Sequence, residues 1–219
     1  MMKNLFQILC GLFLVVSYSS CMHSEEDKVD VLIIGGGASG VTSGIQSARM
    51  GANTLILEES TWLGGMLTSA GVSAVDGNYR LPAGLWGEFK NRLSDYYGGL
   101  DSLKTGWVSN VLFEPSVGNK ILHEMVAAEN NLKVWKQACL EEVKRTGDEW
   151  VAKVKVEGQG VKTVRAKVMI DATELGDVAK ICGVKYDIGM ESRDDTHEDI
   201  APEKKNNIVQ DITYVAILK

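Results

Sequence analysis

An apolar strand that runs without a break into a glycine cluster constrains this chain more than any other feature: Asp30-Val31-Leu32-Ile33-Ile34-Gly35-Gly36-Gly37-Ala38-Ser39-Gly40. Four apolar residues in a row, three of them β-branched, suit a parallel strand buried on both faces. Residues 41–50 then read as a helix, so Gly35, Gly37 and Gly40 set G-x-G-x-x-G in the strand–turn–helix context that gives the motif its meaning. In that context Gly35 permits the tight turn, Gly37 lets a pyrophosphate approach the backbone, and Gly40 lets helix and strand pack closely. The N-terminus of that helix offers free N–H groups and a positive dipole end to phosphate, with Ala38 and Ser39 in the turn that leads into it.

The next apolar run, Thr54-Leu55-Ile56-Leu57, ends at Glu58, 23 positions beyond Gly35. A carboxylate at that spacing accepts hydrogen bonds from the ribose of a dinucleotide that lacks a 2′-phosphate. Trp62-Leu63-Gly64-Gly65-Met66 follows, and two glycines there keep backbone close to a ligand with no side chain between. Residues 69–99 are rich in glycine and aromatics. Within them 85–97 reads as an amphipathic helix with Leu85, Trp86, Phe89, Leu93, Tyr96 and Tyr97 on its apolar side. Glu114-Pro115-Ser116 opens a further helix over 117–130 that buries Ile121, Leu122, Met125 and Val126 and stops at Asn130-Asn131. His123 lies off that stripe and, as a lone histidine, gives no catalytic signature.

Residues 132–135, 138–145, 149–156 and 162–165 alternate valine with charge between turns and read as a β-meander of short strands. Residues 167–170 form one more strand, ending in Asp171-Ala172-Thr173, and a helix runs over 177–182. Ligands bind at the carboxyl ends of strands in open parallel sheets, which makes Thr173 a candidate contact. Residues 192–207 read as a charged surface loop, and 208–218 alternate like a final strand.

Strand–GGGASG–helix, LILEES, WLGGMLT and Asp171-Ala172-Thr173-Glu174-Leu175-Gly176-Asp177 resemble the N-terminal part of the bacterial FAD-dependent oxidoreductase family. Its members are flavoproteins of the type with two dinucleotide-binding domains, sometimes labelled "xanthan lyase", and they commonly carry Asp-Ala-Thr-x-x-Gly-Asp at the last of these positions. Two departures stand out. Trp62-Leu63 replaces the usual basic residue before the glycine pair, and Gly189-Met190-Glu191 stands where Gly-Arg-Glu is common. The resemblance implies an α/β, Rossmann-like FAD-binding domain over 29–191, with a central parallel sheet and a β-meander. Residues 192–219 would then be a loop and the start of an incomplete substrate domain. It implies FAD as cofactor, with Gly35, Gly37, Ala38, Ser39 and Gly40 at the pyrophosphate and Glu58 at the adenosine ribose. Gly64, Gly65 and Met66 would lie near the flavin-side phosphate, with Thr173 nearby, and the flavin would take a hydride from a small organic substrate.

The first glycine motif alone fits NAD equally; the second glycine pair, the meander and the Asp171-Ala172-Thr173 turn favour FAD. The resemblance spans 29–218 but only the first part of a typical member. The chain is therefore expected to be truncated before its substrate domain is complete, as a shortened reading frame, a split gene or a fragment, with an FAD-binding subunit that needs a partner chain as one alternative. A non-catalytic remnant is the other alternative. No nucleophile–base pair, carboxylate pair or metal-ligand cluster stands out, so no catalytic residue is named and no metal is expected.

The ends carry a different message. Lys3 precedes an apolar run over 5–16 broken only by Gln7, and 17–20 are small and polar. This is a signal peptide over 1–20, too short in its apolar part to span a bilayer. Ser19-Ser20-Cys21 resembles a lipoprotein cleavage site, so Cys21 is expected to be acylated, with 21–28 as a tether. The protein is then exported to the bacterial cell envelope and lipid-anchored to a membrane. Loss of 1–20 removes Lys3 and no acid, moving the net charge from −6 to −7, which disfavours nucleic acid as a partner. Cys139 and Cys182, outside any metal-ligand spacing, read as small buried hydrophobes.

Overall fold

The computed structural model describes residues 26–77, 79–104, 106, 109–212 and 215. The leader over 1–20, Cys21 and the first part of the expected tether lie outside these residues. The strands are β1 Glu26–Ile34, β2 Thr54–Glu58, β3 Leu132–Lys136, β4 Ala138–Thr146, β5 Glu149–Val156 and β6 Gly160–Asp171. They form one six-stranded sheet in the order β3-β2-β1-β6-β5-β4. Strand β1 pairs in parallel with β2 and β6, and β2 with β3; β4, β5 and β6 are antiparallel neighbours.

The period-two geometry of a strand explains the unbroken apolar runs. Ile33 and Ile56 face helices α1 Ala38–Arg49, α2 Gly84–Tyr97 and α3 Pro115–Ala127, packing with Val41, Ile45, Phe89, Leu93, Ile121, Leu122 and Met125. Leu32, Ile34, Leu55 and Leu57 point the other way, onto Ala152, Val154, Val156, Val164 and Ala166 of the meander, which curls over to cover that face. Each such fully buried side chain contributes about 1.5–3 kcal/mol, so both faces are firmly held. Arg49 ties α1 to α2 and to the segment just beyond α3, its guanidinium 2.9 Å from Glu88 and 2.7 Å from Glu129, and Arg49 holds the Glu88 carboxyl below the usual range. Asn131 closes the far ends of α1 and β2 by donating to the carbonyls of Ala48 and Ala52 at 2.8 and 2.7 Å.

The sheet corrects several expectations. Residues 132–136 are not part of the meander; β3 is the parallel edge strand beside β2, with Val134 opposite Ile56. A short alternating run reads the same in either setting, and the switch lies in Gln137, whose φ of 52° turns the chain from β3 into β4. The runs at 162–165 and 167–170 are one strand, because β6 pairs with β1 from Thr163 to Asp171. Glu26, Asp27 and Lys28, assigned to the tether, are the first residues of β1; Arg165 of β6 reaches Glu26 at 2.8 Å and extends the pairing.

Helix α1 begins at Ala38, a turn earlier than the apolar pattern suggests, and the expected helix over 177–182 is α4 Asp177–Ile181. On α2 the residue Tyr96 is exposed, and Lys90 is buried in its stead. Cys139 and Cys182 are both exposed: Cys139 alternates with the buried Ala138, and Cys182 follows the last turn of α4. The charged loop holds a short helix, α5 Arg193–Thr196, opened by a reciprocal Ser192–Asp195 capping box. Residues 208–212 form no strand and are exposed, since alternation without a partner edge makes no ladder; 213, 214 and 216–219 lie outside the described residues. Among the described residues no helix is long and apolar enough to cross a membrane.

Candidate dinucleotide site

Strand β1 is flanked by its successor β2 on one side and by β6, the last strand, on the other. The chain's direction of winding reverses there, and the crevice beyond the strand ends at such a point is where open α/β sheets bind ligands. Ile34 and Asp171 stand opposite each other at that end. The glycine loop that follows is clamped from both sides. Gly35 donates its N–H to Leu57 at 2.9 Å and, at φ 102°, sits so near β6 that a Cβ would come 2.4 Å from the Ala172 carbonyl oxygen. Gly40 packs on the loop itself, where a Cβ would lie 1.9 Å from the Gly35 carbonyl oxygen.

Gly37 is different. It caps α1 in an extended conformation, and a Cβ there would point into open space, its nearest neighbour Glu174 Oε1 at 3.8 Å. The first N–H groups of α1 have no intrahelical acceptor and no side chain caps them, so the seat beside Gly37 offers backbone donors and the positive helix end.

The second glycine pair docks on the first. Gly64, at φ 107°, donates to the Gly36 carbonyl at 2.8 Å, and Gly65 begins a 3-10 turn, Gly65–Leu67. Thr68 fixes that turn by donating to the Leu63 carbonyl at 2.6 Å, while Leu63 N–H donates to Asn119 at 2.9 Å. Glu58 at the end of β2 is held by two backbone donors, Gly36 N–H on Oε2 at 2.8 Å and Ser60 N–H on Oε1 at 2.7 Å. Each carboxylate oxygen keeps a second acceptor direction for a hydroxyl.

On the β6 side Asp171 wires the turn. It accepts from Thr173 N–H at 3.0 Å, from Thr173 Oγ1 at 2.6 Å and from Ala179 N–H at 2.7 Å. Burial alone would raise this carboxyl, but those hydrogen bonds outweigh it and hold Asp171 below the usual range.

These pieces enclose a cleft of about 370 Å³. Of the residues expected to contact a cofactor, Gly35, Gly37, Glu58, Gly65 and Thr173 line it. Ala38 and Ser39 form the first turn of α1, and Gly40 and Gly64 are buried packing positions. Met66 is 55% exposed and does not line the cleft. The Thr173 hydroxyl is already engaged, donating to Asp171 and accepting Asp177 N–H at 2.9 Å.

The sequence reading missed Gly36, Glu174 and the meander residues Ala138 and Leu140, all of which line the cleft. The Glu174 carboxylate leans over the two glycine loops, 2.7 Å from where a Gly65 Cβ would stand. The spacing of Gly36 to Glu58 was a usable signal; nothing in sequence shows that β4 curls back to the cleft. Among the described residues no group of His, Cys, Asp and Glu could hold a metal ion.

A family model described as FAD dependent oxidoreductase matches residues 30–216. Among solved structures, a flavoprotein/dehydrogenase from Cytophaga hutchinsonii aligns at TM-score 0.53 and 18% identity, over 72% of this chain and 42% of that one. A geranylgeranyl bacteriochlorophyll reductase-like protein from Thermoplasma acidophilum aligns at TM-score 0.52 and 17% identity, over 82% and 49%. The OxyS anhydrotetracycline hydroxylase from Streptomyces rimosus aligns at TM-score 0.53 and 15% identity, over 74% and 36%. At such identities the likeness is one of fold, and the chain spans less than half the length of each structure. No curated protein matches it.

Proposed function

The chain belongs to the FAD dependent oxidoreductase family, and we propose that its cleft holds FAD for a reaction in which the flavin accepts a hydride from a small organic substrate. The observation that carries this reading is the open seat beside Gly37, faced by the uncapped start of α1 and flanked by the docked Gly64-Gly65 pair. The residues fit the group. Backbone N–H groups of 37–39 would hold the pyrophosphate, Glu58 would take the adenosine ribose, and Gly64 and Gly65 would lie along the flavin-side phosphate. Glu174 would turn outward, since a carboxylate and a phosphate about 4 Å apart repel by several kcal/mol at an effective dielectric of about 20. FAD supplies the redox chemistry when bound; the chain supplies binding, orientation and exclusion of water.

The docked second glycine pair favours FAD over NAD, whose binding needs only the first loop. The test is selectivity. FAD titrated into the purified chain is expected to saturate, and NAD at the same concentrations to leave bound FAD in place. Displacement by NAD would overturn the assignment.

A second reading, an FAD-binding subunit completed by a partner polypeptide, draws on the exposure of Leu175, Ile200 and Ile212, at 87, 91 and 84%. Exposed apolar side chains mark an interaction surface where they join into one contiguous patch.

We also propose that the leader directs export and that Cys21 is acylated, anchoring the protein in the cell envelope; diacyl or triacyl attachment gives stable anchoring where one chain would not. Cys21→Ala is expected to move the protein from the membrane fraction to the soluble fraction on cell fractionation, and an unchanged distribution would rule the anchor out.

A further inference from the structure

Helix α2 carries a buried cation that the dinucleotide site does not use. Lys90 is only 5% exposed. Its ammonium donates to the carbonyls of Tyr79 and Leu81 at 2.7 and 2.8 Å and lies 5.8 Å from the centre of the Trp86 ring. An ammonium has three donors, and among the described residues no carboxylate forms an ion pair with this one. A charge in that position is costly unless something of opposite sign reaches it.

Something can reach it. Lys90 lines a cavity of about 330 Å³ together with Arg80, Lys104, Asn91 and Asn110, and the remaining wall includes Leu100 and Val111. Lys104 pairs with Asp101 at 2.8 Å, and the Arg80 guanidinium lies 5.5 Å over the Tyr79 ring. Three cationic residues thus line the cavity, in a chain whose net charge is −6. The cavity shares no lining residue with the dinucleotide cleft.

We propose that this cavity binds a small organic carboxylate, its charge on the Lys90 ammonium and its apolar body against Leu100 and Val111. The amides of Asn91 and Asn110 add donors, and the apolar wall suits an organic acid better than inorganic phosphate. The proposal is independent of the flavin assignment.

The test uses the purified full chain, benzoate as probe, and neutral benzamide as its near-isosteric control. Benzoate is expected to give a saturable change in tryptophan fluorescence, since Trp86 adjoins Lys90. Benzamide should bind at least roughly tenfold more weakly, as fits the loss of a charge-assisted contact. Lys90→Met should abolish the benzoate response. Because that variant also loses two hydrogen bonds, Arg80→Gln provides a second arm, keeping the Lys90 contacts and weakening benzoate severalfold. Equal affinity for benzoate and benzamide, inorganic phosphate binding as tightly as benzoate, or no saturation in the unmodified chain would overturn the proposal. A lysine that only pins residues 79–81 to α2 would give such a result.

Discussion

Gly40→Ala is expected to cost about 3–5 kcal/mol of stability, which at 2–4 °C per kcal/mol for a chain of this size lowers the melting temperature by roughly 6–20 °C. The added carbon would stand 1.9 Å from the Gly35 carbonyl oxygen and 3.3 Å from the Ala172 Cβ. The first obstacle is backbone, so it cannot rotate away. The loop itself is fixed by the Gly35 bond to Leu57, so α1 would have to lift, drawing Val41 and Ile45 out of the helical core. Ser39→Ala, at the exposed position just before it, is expected to stay within about 0.5 kcal/mol. Thermal unfolding followed by circular dichroism separates the two, and equal melting temperatures would contradict the close packing described for Gly40.

Gly37→Val should do the reverse. The nearest atom to a Cβ at Gly37 is the exposed Glu174 carboxylate at 3.8 Å, and its φ of −65° suits any residue. The fold should therefore melt within about 2 °C of the unmodified chain, well under the cost of a packing clash. FAD affinity should fall at least about 100-fold, or about 2.7 kcal/mol, because the side chain fills the seat through which phosphate approaches the helix start. One glycine position is thus set by the fold and the other by the ligand. Flavin fluorescence quenching measures the loss, and a variant that binds FAD as well as the parent would remove the seat from the account.

The sequence reading did best where local chemistry and global fold agree. Strand, glycine turn, helix and the acid at Glu58 are legible because each depends on neighbours in the chain, and the apolar faces of α2 and α3 follow from helical period. The errors arise where tertiary context decides. Alternation alone could not tell that β3 lies in parallel beside β2, or that β6 continues unbroken past Ala166. The exposure of Cys139 depends on which face of β4 turns inward. The burial of Lys90 is illegible by composition, because a lysine on a helix normally keeps its charge in water. At the cleft, the glycines were readable and Glu174 was not, since its approach to Gly65 needs the β6 turn and the second glycine pair to meet in space.

The most direct test of the central claim, that FAD lies across the carboxyl ends of β1 and β6, is amide hydrogen exchange with and without FAD. Slowed exchange confined to residues 35–40, 58–66 and 172–177 is the predicted result. Protection centred elsewhere, as on the β5–β6 turn around Gly158, or an exchange pattern that FAD leaves unchanged, would contradict it.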